Sequence, residues 1–256
     1  MSENIIVKRD GLVGIITINR PEKLNAMTPP MASALVEAVN HFNDDDRIRC
    51  VVLTGAGDRA FCAGSDIKTL DEYDTAWNFR NRPDYCDAIR ALLKPSIAAV
   101  NGYAFGGGLE TAMACDIRIA SDNATFAAPE IKLGWIGGGG MAAGLAHAVG
   151  PSNAALMIMT GDPIDAATAE RWGLVSRVVP RASLLDAARA IADTIASRAP
   201  IAAETAKLNL NAAWDLSLRN AITYERDLQT ICFATADASE GRAAFKEKRS
   251  PIFQRR

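Results

Sequence analysis

The sequence predicts an α/β fold that gives way to an all-helical C-terminal region. Two observations carry this expectation. Up to about residue 180, short runs rich in Val, Ile and Ala alternate with segments of helical period; beyond Pro180 every apolar pattern has helical spacing. The first region is also punctuated by Gly and Pro at its joints, as alternating elements require.

Residues 12–19 (LVGIITIN) are β-branched, follow the turn Asp10-Gly11 and stop at Pro21, so a strand is expected. Thr28 followed by Pro29 and Pro30 reads as an N-cap and a first turn. Met31, Leu35, Ala38, Val39 and Phe42 then recur at helical spacing to about Asn43. The acidic run at 44–46 reads as a solvated loop. A second strand is expected over 48–53. Residues 84–93 read as a helix and 96–100 as a strand. Helices follow over 141–149, from Pro151 to Gly161, and over AATAERW between a capping Asp165 and Gly173. A short strand is expected at 175–179. Leu184, Ala188, Ile191 and Ile195 mark the next helix, with three more over 201–214, 216–234 and 239–248. A boundary near residue 196 divides the chain into a core, 1–195, and a helical region, 196–256, of a kind that often packs on a neighbouring subunit.

With 256 residues, 49% hydrophobic and 23% charged, the chain can bury a large core. A net charge of −2 excludes a broad nucleic-acid-binding face but leaves room for a phosphorylated small ligand. The five cysteines are odd in number and contain no C-x-x-C pair, so neither a zinc site nor a dithiol site is expected. Reduced thiols fit a cytoplasmic compartment. The start, MSENIIVKRDG, lacks the apolar run of a signal peptide, and no run is long enough to span a bilayer. A soluble cytoplasmic chain without membrane partners is the expectation.

Chemistry concentrates in residues 101–130, NGYAFGGGLETAMACDIRIASDNATFAAPE. Glu110 lies among small and apolar helix residues and Glu130 follows Ala127-Ala128-Pro129; neither has the composition of a solvated face. His41 and His147 lie on a surface helix and an Ala-rich helix, which leaves a Ser–His–Asp triad unsupported. Cys62, between Phe61 and Ala63, reads as a packed thiol. Gly55, Gly57 and Ala60 match a dinucleotide fingerprint formally, but Phe61-Cys62-Ala63-Gly64 stands where a helix should begin, so NAD is rejected. Two readings stand open for Gly137 to Gly140: a mobile loop, or close backbone approach to a ligand. Trp77, Phe79 and Tyr85 either line an apolar pocket or pack a loop on the body.

Several motifs in this order resemble the crotonase (enoyl-CoA hydratase/isomerase) superfamily, most closely its hydratase branch. They are NRPEKLNA from Asn19, AFCAGSD from Ala60, Asn101-Gly102-Tyr103 with GGGLE from Gly106, Pro129-Glu130, RWGLV from Arg171 and FKEKR from Phe245. The resemblance spans essentially the whole chain. It implies a spiral of repeated β-β-α units with C-terminal helices that drive trimerisation, as a homotrimer or a hexamer built from two trimers. It further implies an oxyanion hole from the backbone N–H groups of Ser65 and Gly107, with Glu130 as main acid/base and Glu110 positioning the water. Lys23, Ala26, Ala63, Asp66, Ile67 and Lys68 match the coenzyme A side of the substrate. Trp77, Trp135 and Gly138 are acyl-pocket candidates. Coenzyme A is part of the substrate, so no separate cofactor and no metal are implied. Lys246, Lys248 and Arg249 read either as phosphate partners for a neighbour's ligand or as a solvated basic tail.

The implied reaction is hydration of an enoyl-CoA thioester. Isomerisation, hydrolysis or decarboxylation of an acyl-CoA on the same scaffold, or a non-catalytic binding role, are its rivals. Ser65 replaces the family's commoner alanine, and Trp135-Ile136 precede four glycines where a proline is usual, so an unusual acyl group is expected.

Overall fold

The computed structural model describes residues 3–256. Strands β1 (Ile5–Asp10) and β2 (Val13–Ile18) form an antiparallel hairpin through Gly11. Helix α1 (Pro29–Asp44) follows, then β3 (Cys50–Gly55) and β4 (Ala60–Cys62). Three short helices, α2 (Ile67–Leu70), α3 (Ala76–Arg80) and α4 (Tyr85–Arg90), lead to β5 (Ser96–Val100) and β6 (Tyr103–Phe105). Helix α5 (Gly107–Ala114) then precedes β7 (Ile117–Ser121) and β8 (Thr125–Ala127). A 3-10 turn, Pro129–Leu133, and helices α6 (Met141–Val149) and α7 (Pro151–Thr160) come next, followed by β9 (Ile164–Asp165), α8 (Ala166–Trp172) and β10 (Arg177–Val179). Helices α9 (Leu184–Ala196), α10 (Pro200–Asp215), α11 (Leu218–Phe233) and α12 (Ala236–Glu247) close the chain.

The strands form two sheets, a six-stranded one ordered β1-β2-β3-β5-β7-β10 and a four-stranded one ordered β4-β6-β8-β9. Chain order alternates between them: β3 then β4, β5 then β6, β7 then β8, with helices carrying the chain back each time. This is the expected β-β-α spiral. Pairing is parallel from β2 through β10 in the large sheet and from β4 through β8 in the small one. Strands β3 and β5 are buried along their whole length, which is why they read as continuous apolar runs rather than alternating ones. One face of the large sheet meets the main core around Leu35, Phe42, Phe61 and Phe126. Helix α9 covers the other, packing Leu184, Ala188, Ala192 and Ala196 on Val13, Val52, Ile97 and Ile119.

The later helices differ in kind from α9. Buried residues are Pro200 and Lys207 on α10, Leu228 on α11, and Asp237 and Ala244 on α12. Leu210, Trp214, Leu218, Ile231, Phe233 and Phe245 are exposed. No helix among the described residues is long and apolar enough to cross a membrane.

Some expectations are corrected. β1 was unread because its apolar residues lie at one end of IIVKRD, and β6 and β8 are too short to show a period. Thr28 stands at the N-cap of α1 without a side-chain capping bond. Pro30 removes one of the two N–H groups that such a bond would use. The helix expected over 84–93 ends at Arg90, and Leu93 N donates instead to Asn43 Oδ1 at 2.8 Å. The segment from Gly55 to Ala60, by contrast, is as expected: it enters β4 and opens no helix.

Candidate active site

Three strands of the small sheet, β4, β6 and β8, run parallel and side by side. Just past their C-terminal ends come Ser65, Gly107 and Glu130 respectively. At about 4.8 Å per strand spacing, the three exits lie within roughly 10 Å of one another. The carboxyl ends of parallel strands, where chains diverge into loops, are the usual place for a site in such sheets.

Ser65 is held by a parallel bridge to Met27. Met27 N donates to Gly64 O at 2.8 Å and Asp66 N donates to Met27 O at 2.8 Å. In a parallel bridge the central residue's own N–H points away from the partner strand, so Ser65 N is not used by Met27. Gly107 opens α5, and the N–H of a first helical residue has no intrahelical acceptor. A Cβ on Gly64 would fall 3.1 Å from Gly107 N, which shows how closely the two loops meet. Close approach also explains the triplet: a Cβ on Gly106 would fall 2.8 Å from Glu130 Oε1, and one on Gly108 would fall 1.9 Å from Cys62 O.

Glu110, one turn into α5, is 5% exposed. Its Oε1 accepts from Gly139 N at 2.8 Å and Met141 N at 3.0 Å. Burial pushes its pKa up to about 7; the charge of Glu130 adds to the rise, and the two N–H donors oppose it. The glycine run is thereby accounted for, since a Cβ on Gly137 or Gly139 would fall 2.8 Å from this carboxylate. The run is therefore a backbone clamp on Glu110, fastened from outside by Arg90, whose Nη2 donates to Gly139 O.

Glu130 stands in the 3-10 turn after β8. Its Oε2 is buried with no hydrogen-bond partner in the protein, and burial raises its pKa. An unpartnered buried carboxyl oxygen is costly unless a ligand meets it. Both glutamates, Ser65 and Gly107 line one cavity of about 760 Å³. Its walls include Ala63, Ile67, Leu70, Phe79, Tyr85, Leu133, Trp135 and Gly138.

Trp77 is the exception among the acyl-pocket candidates. It is 74% exposed on α3 and does not line the cavity; the polar stretch around it keeps it on the outer surface. Asp66 is committed to the framework: its carboxylate takes Arg20 Nη1 at 2.7 Å and Lys68 N at 3.2 Å, and the Arg20 hydrogen bond holds its pKa low. Lys23 and Ala26 lie beside this loop, with Ala63 N donating to Leu24 O at 3.0 Å and Ala26 O accepting from Arg20. Arg249 is paired with Glu240 and Glu247. Cys62 is fully buried, its thiol pushed up to about 12.

Two residues make contacts that the sequence reading did not reach. Asn25, buried with φ +57°, donates to Ala56 O and Ala60 O and accepts from Arg20 N, tying the 20–27 segment to β4. Its place inside the NRPEKLNA motif was the available signal. The other is Tyr85, whose hydroxyl meets Ser65 Oγ at 3.0 Å. Ser65 was read through its backbone alone, and nothing in the sequence joined these two side chains.

Comparison with known proteins shows the family. The family model described as Enoyl-CoA hydratase/isomerase matches residues 8–256. A protein of Mycobacterium tuberculosis named probable enoyl-CoA hydratase is 46% identical, the match covering 99% of each chain. A short-chain-enoyl-CoA hydratase of Clostridium acetobutylicum is 38% identical over 96% of this chain and 95% of its own. Among solved structures, an enoyl-CoA hydratase from Bacillus anthracis superposes with a TM-score of 0.95 at 34% identity, covering 99% of this chain and 100% of that one. The chain belongs to the enoyl-CoA hydratase/isomerase family and has the fold of the crotonase superfamily.

Proposed function

We propose that the protein adds water across the 2,3 double bond of an enoyl-CoA thioester. The observation that carries this reading is that the buried Glu110 and the half-buried Glu130, both with raised pKa, line one cavity together with Ser65 and Gly107. Water attacks C3 and the electron pair of the double bond moves toward the thioester oxygen. Ser65 N–H and Gly107 N–H hold the resulting enolate; such donors act most where charge develops, each worth about 10²- to 10³-fold in rate. Glu130, whose partial burial favours its protonated form, delivers its proton to C2, and the proton of the attacking water restores it. Glu110, oriented by Gly139 N and Met141 N, accepts a hydrogen bond from that water and aligns it.

Lys23, Ala26, Ala63, Asp66, Ile67 and Lys68 flank the path of the coenzyme A portion, which is substrate and not cofactor. Trp135 and Gly138 border the acyl group. The exposed apolar residues of α10 to α12 support a homotrimer or hexamer in which residues 196–256 form the contact, since a single chain leaves them uncovered.

The test is to offer a panel of enoyl-CoA thioesters and follow loss of the conjugated absorbance. Hydration of at least one is expected, with Glu130→Gln lowering kcat by at least about 10³-fold while the circular dichroism is unchanged. Turnover of another acyl-CoA, with none on any enoyl thioester, would overturn the hydratase reading. Light scattering should give a trimer or hexamer; a clean monomer would overturn the assembly.

A further inference from the structure

The phenol of Tyr85 occupies a position that the mechanism above does not use. Tyr85 is the first residue of α4, whose start is fixed by Asp84 Oδ1 accepting from Cys86 N at 2.7 Å. Cys86 is buried beside Gly107 O and Thr111 Oγ1, so the helix is seated against the first turn of α5. This seating places the Tyr85 hydroxyl directly on Gly107. A Cβ there would fall 1.8 Å from the phenol oxygen. Any larger residue at 107 would displace the phenol, and with glycine there the hydroxyl packs on the α-carbon next to the N–H assigned to the oxyanion.

On its other side the same hydroxyl meets Ser65 Oγ at 3.0 Å. The pair thus bridges the two residues proposed above to supply the backbone N–H groups, and Ser65, Tyr85 and Gly107 all line the cavity. Two hydroxyls carry two hydrogens, and one hydrogen bond between them uses one. Among the described residues neither hydroxyl has another protein partner. One hydrogen is left to point into the cavity. Burial holds the phenol well above its ordinary pKa, so that it keeps its proton.

We propose that the Ser65–Tyr85 hydroxyl pair donates a third hydrogen bond to the thioester oxygen, beside the N–H groups of Ser65 and Gly107. The role rests on the acyl-CoA reading given above. It gives a reason for serine in place of alanine at position 65: Ser65 Oγ sets the direction of the phenol O–H, or is set by it. No proton is transferred; the pair polarises the carbonyl and follows its charge into the enolate.

Tyr85→Phe removes one oxygen and leaves the ring, and Ser65→Ala removes the partner. Each is expected to lower kcat roughly tenfold with little change in KM. The double variant should be little worse than the poorer single, because the two act as a unit. A second readout is the infrared carbonyl stretch of bound butyryl-CoA, which should lie lower in the wild type than in Tyr85→Phe. A loss of kcat with an unmoved stretch would make Tyr85 a packing residue and overturn the proposal, as would kcat within twofold of wild type. A stretch that moves in a protein hydrating no enoyl thioester would sink the hydratase reading and leave the third donor standing. Failure to bind any acyl-CoA would overturn both.

Discussion

Glu110→Gln separates what this carboxyl costs the fold from what it gives the reaction. In the folded chain Glu110 titrates near 7, against an ordinary value of 4.5. Below pH 4.5 the group is neutral in both states and costs nothing. Between those values the folded chain keeps a proton that the unfolded chain gives up, so stability falls as pH rises through the window. Above pH 7 the penalty is complete. At about 1.4 kcal/mol per pH unit, it comes to roughly 3 kcal/mol. Glutamine retains an oxygen to accept from Gly139 N and Met141 N and never has to ionise. Glu110→Gln should therefore be more stable than wild type by about 1–3 kcal/mol at pH 8.5, and within about 0.5 kcal/mol of it at pH 4.5. Urea unfolding followed by tryptophan fluorescence, at fixed protein concentration, would show a midpoint raised by up to about 1 M at the higher pH. Activity should fall by about 10²- to 10⁴-fold at both. A stability difference independent of pH, or a variant less stable than wild type at pH 8.5, would refute the reasoning.

Four further outcomes follow from the structure. Gly139→Ala places a Cβ 2.8 Å from Glu110 Oε2 and 2.9 Å from Cys86 Sγ; it should cost about 1–3 kcal/mol in thermal or urea unfolding and lower kcat at least tenfold. Gly138→Ala meets nothing within 4 Å, so it should fold normally and shift only the preference among acyl chains in a kcat/KM series. Arg90→Ala releases the outer fastening of the glycine clamp and is expected to lower kcat more than it changes KM. In thiol labelling at neutral pH, Cys50, Cys62, Cys86 and Cys115 are buried with raised pKa, so at most Cys232 should react before denaturant exposes all five.

What the sequence made legible depended on punctuation. Helices α6, α7 and α8 are read to the residue because Gly150, Pro151, Gly161, Asp165 and Gly173 fence them, and Asp165 does cap α8 through Thr168 N at 2.8 Å. Strand β5 is likewise bounded by Pro95 and Asn101-Gly102. By contrast, β6 and β8 carry the site and yet have three residues each, below the length at which period 2 declares itself. Glu110 and Glu130 were visible because charge in apolar company is conspicuous. The contacts that give them their surroundings were not. The entropic argument about four glycines left their partner open, and that partner, Glu110, lies on another element that only the fold brings near. The same holds for Tyr85 on Gly107. Trp77 misled because an aromatic in a polar stretch can face either way, and here it faces water.

The strand exits also bear on how such a chain can diversify. Ser65, Gly107 and Glu130 each sit a short, fixed distance past their own strand, and the register among β4, β6 and β8 sets their mutual geometry. The segment from Ile67 to Asp84, by contrast, contributes Ile67, Leu70 and Phe79 to the cavity wall and then rejoins the frame at α4. Lengthening or exchanging that segment leaves the register untouched, whereas deleting one residue between a strand and its site residue would misplace that residue relative to the other two. The cavity wall and the spacing of Ser65, Gly107 and Glu130 can therefore vary independently along this chain, the first carried in part by an exchangeable loop and the second counted from the sheet.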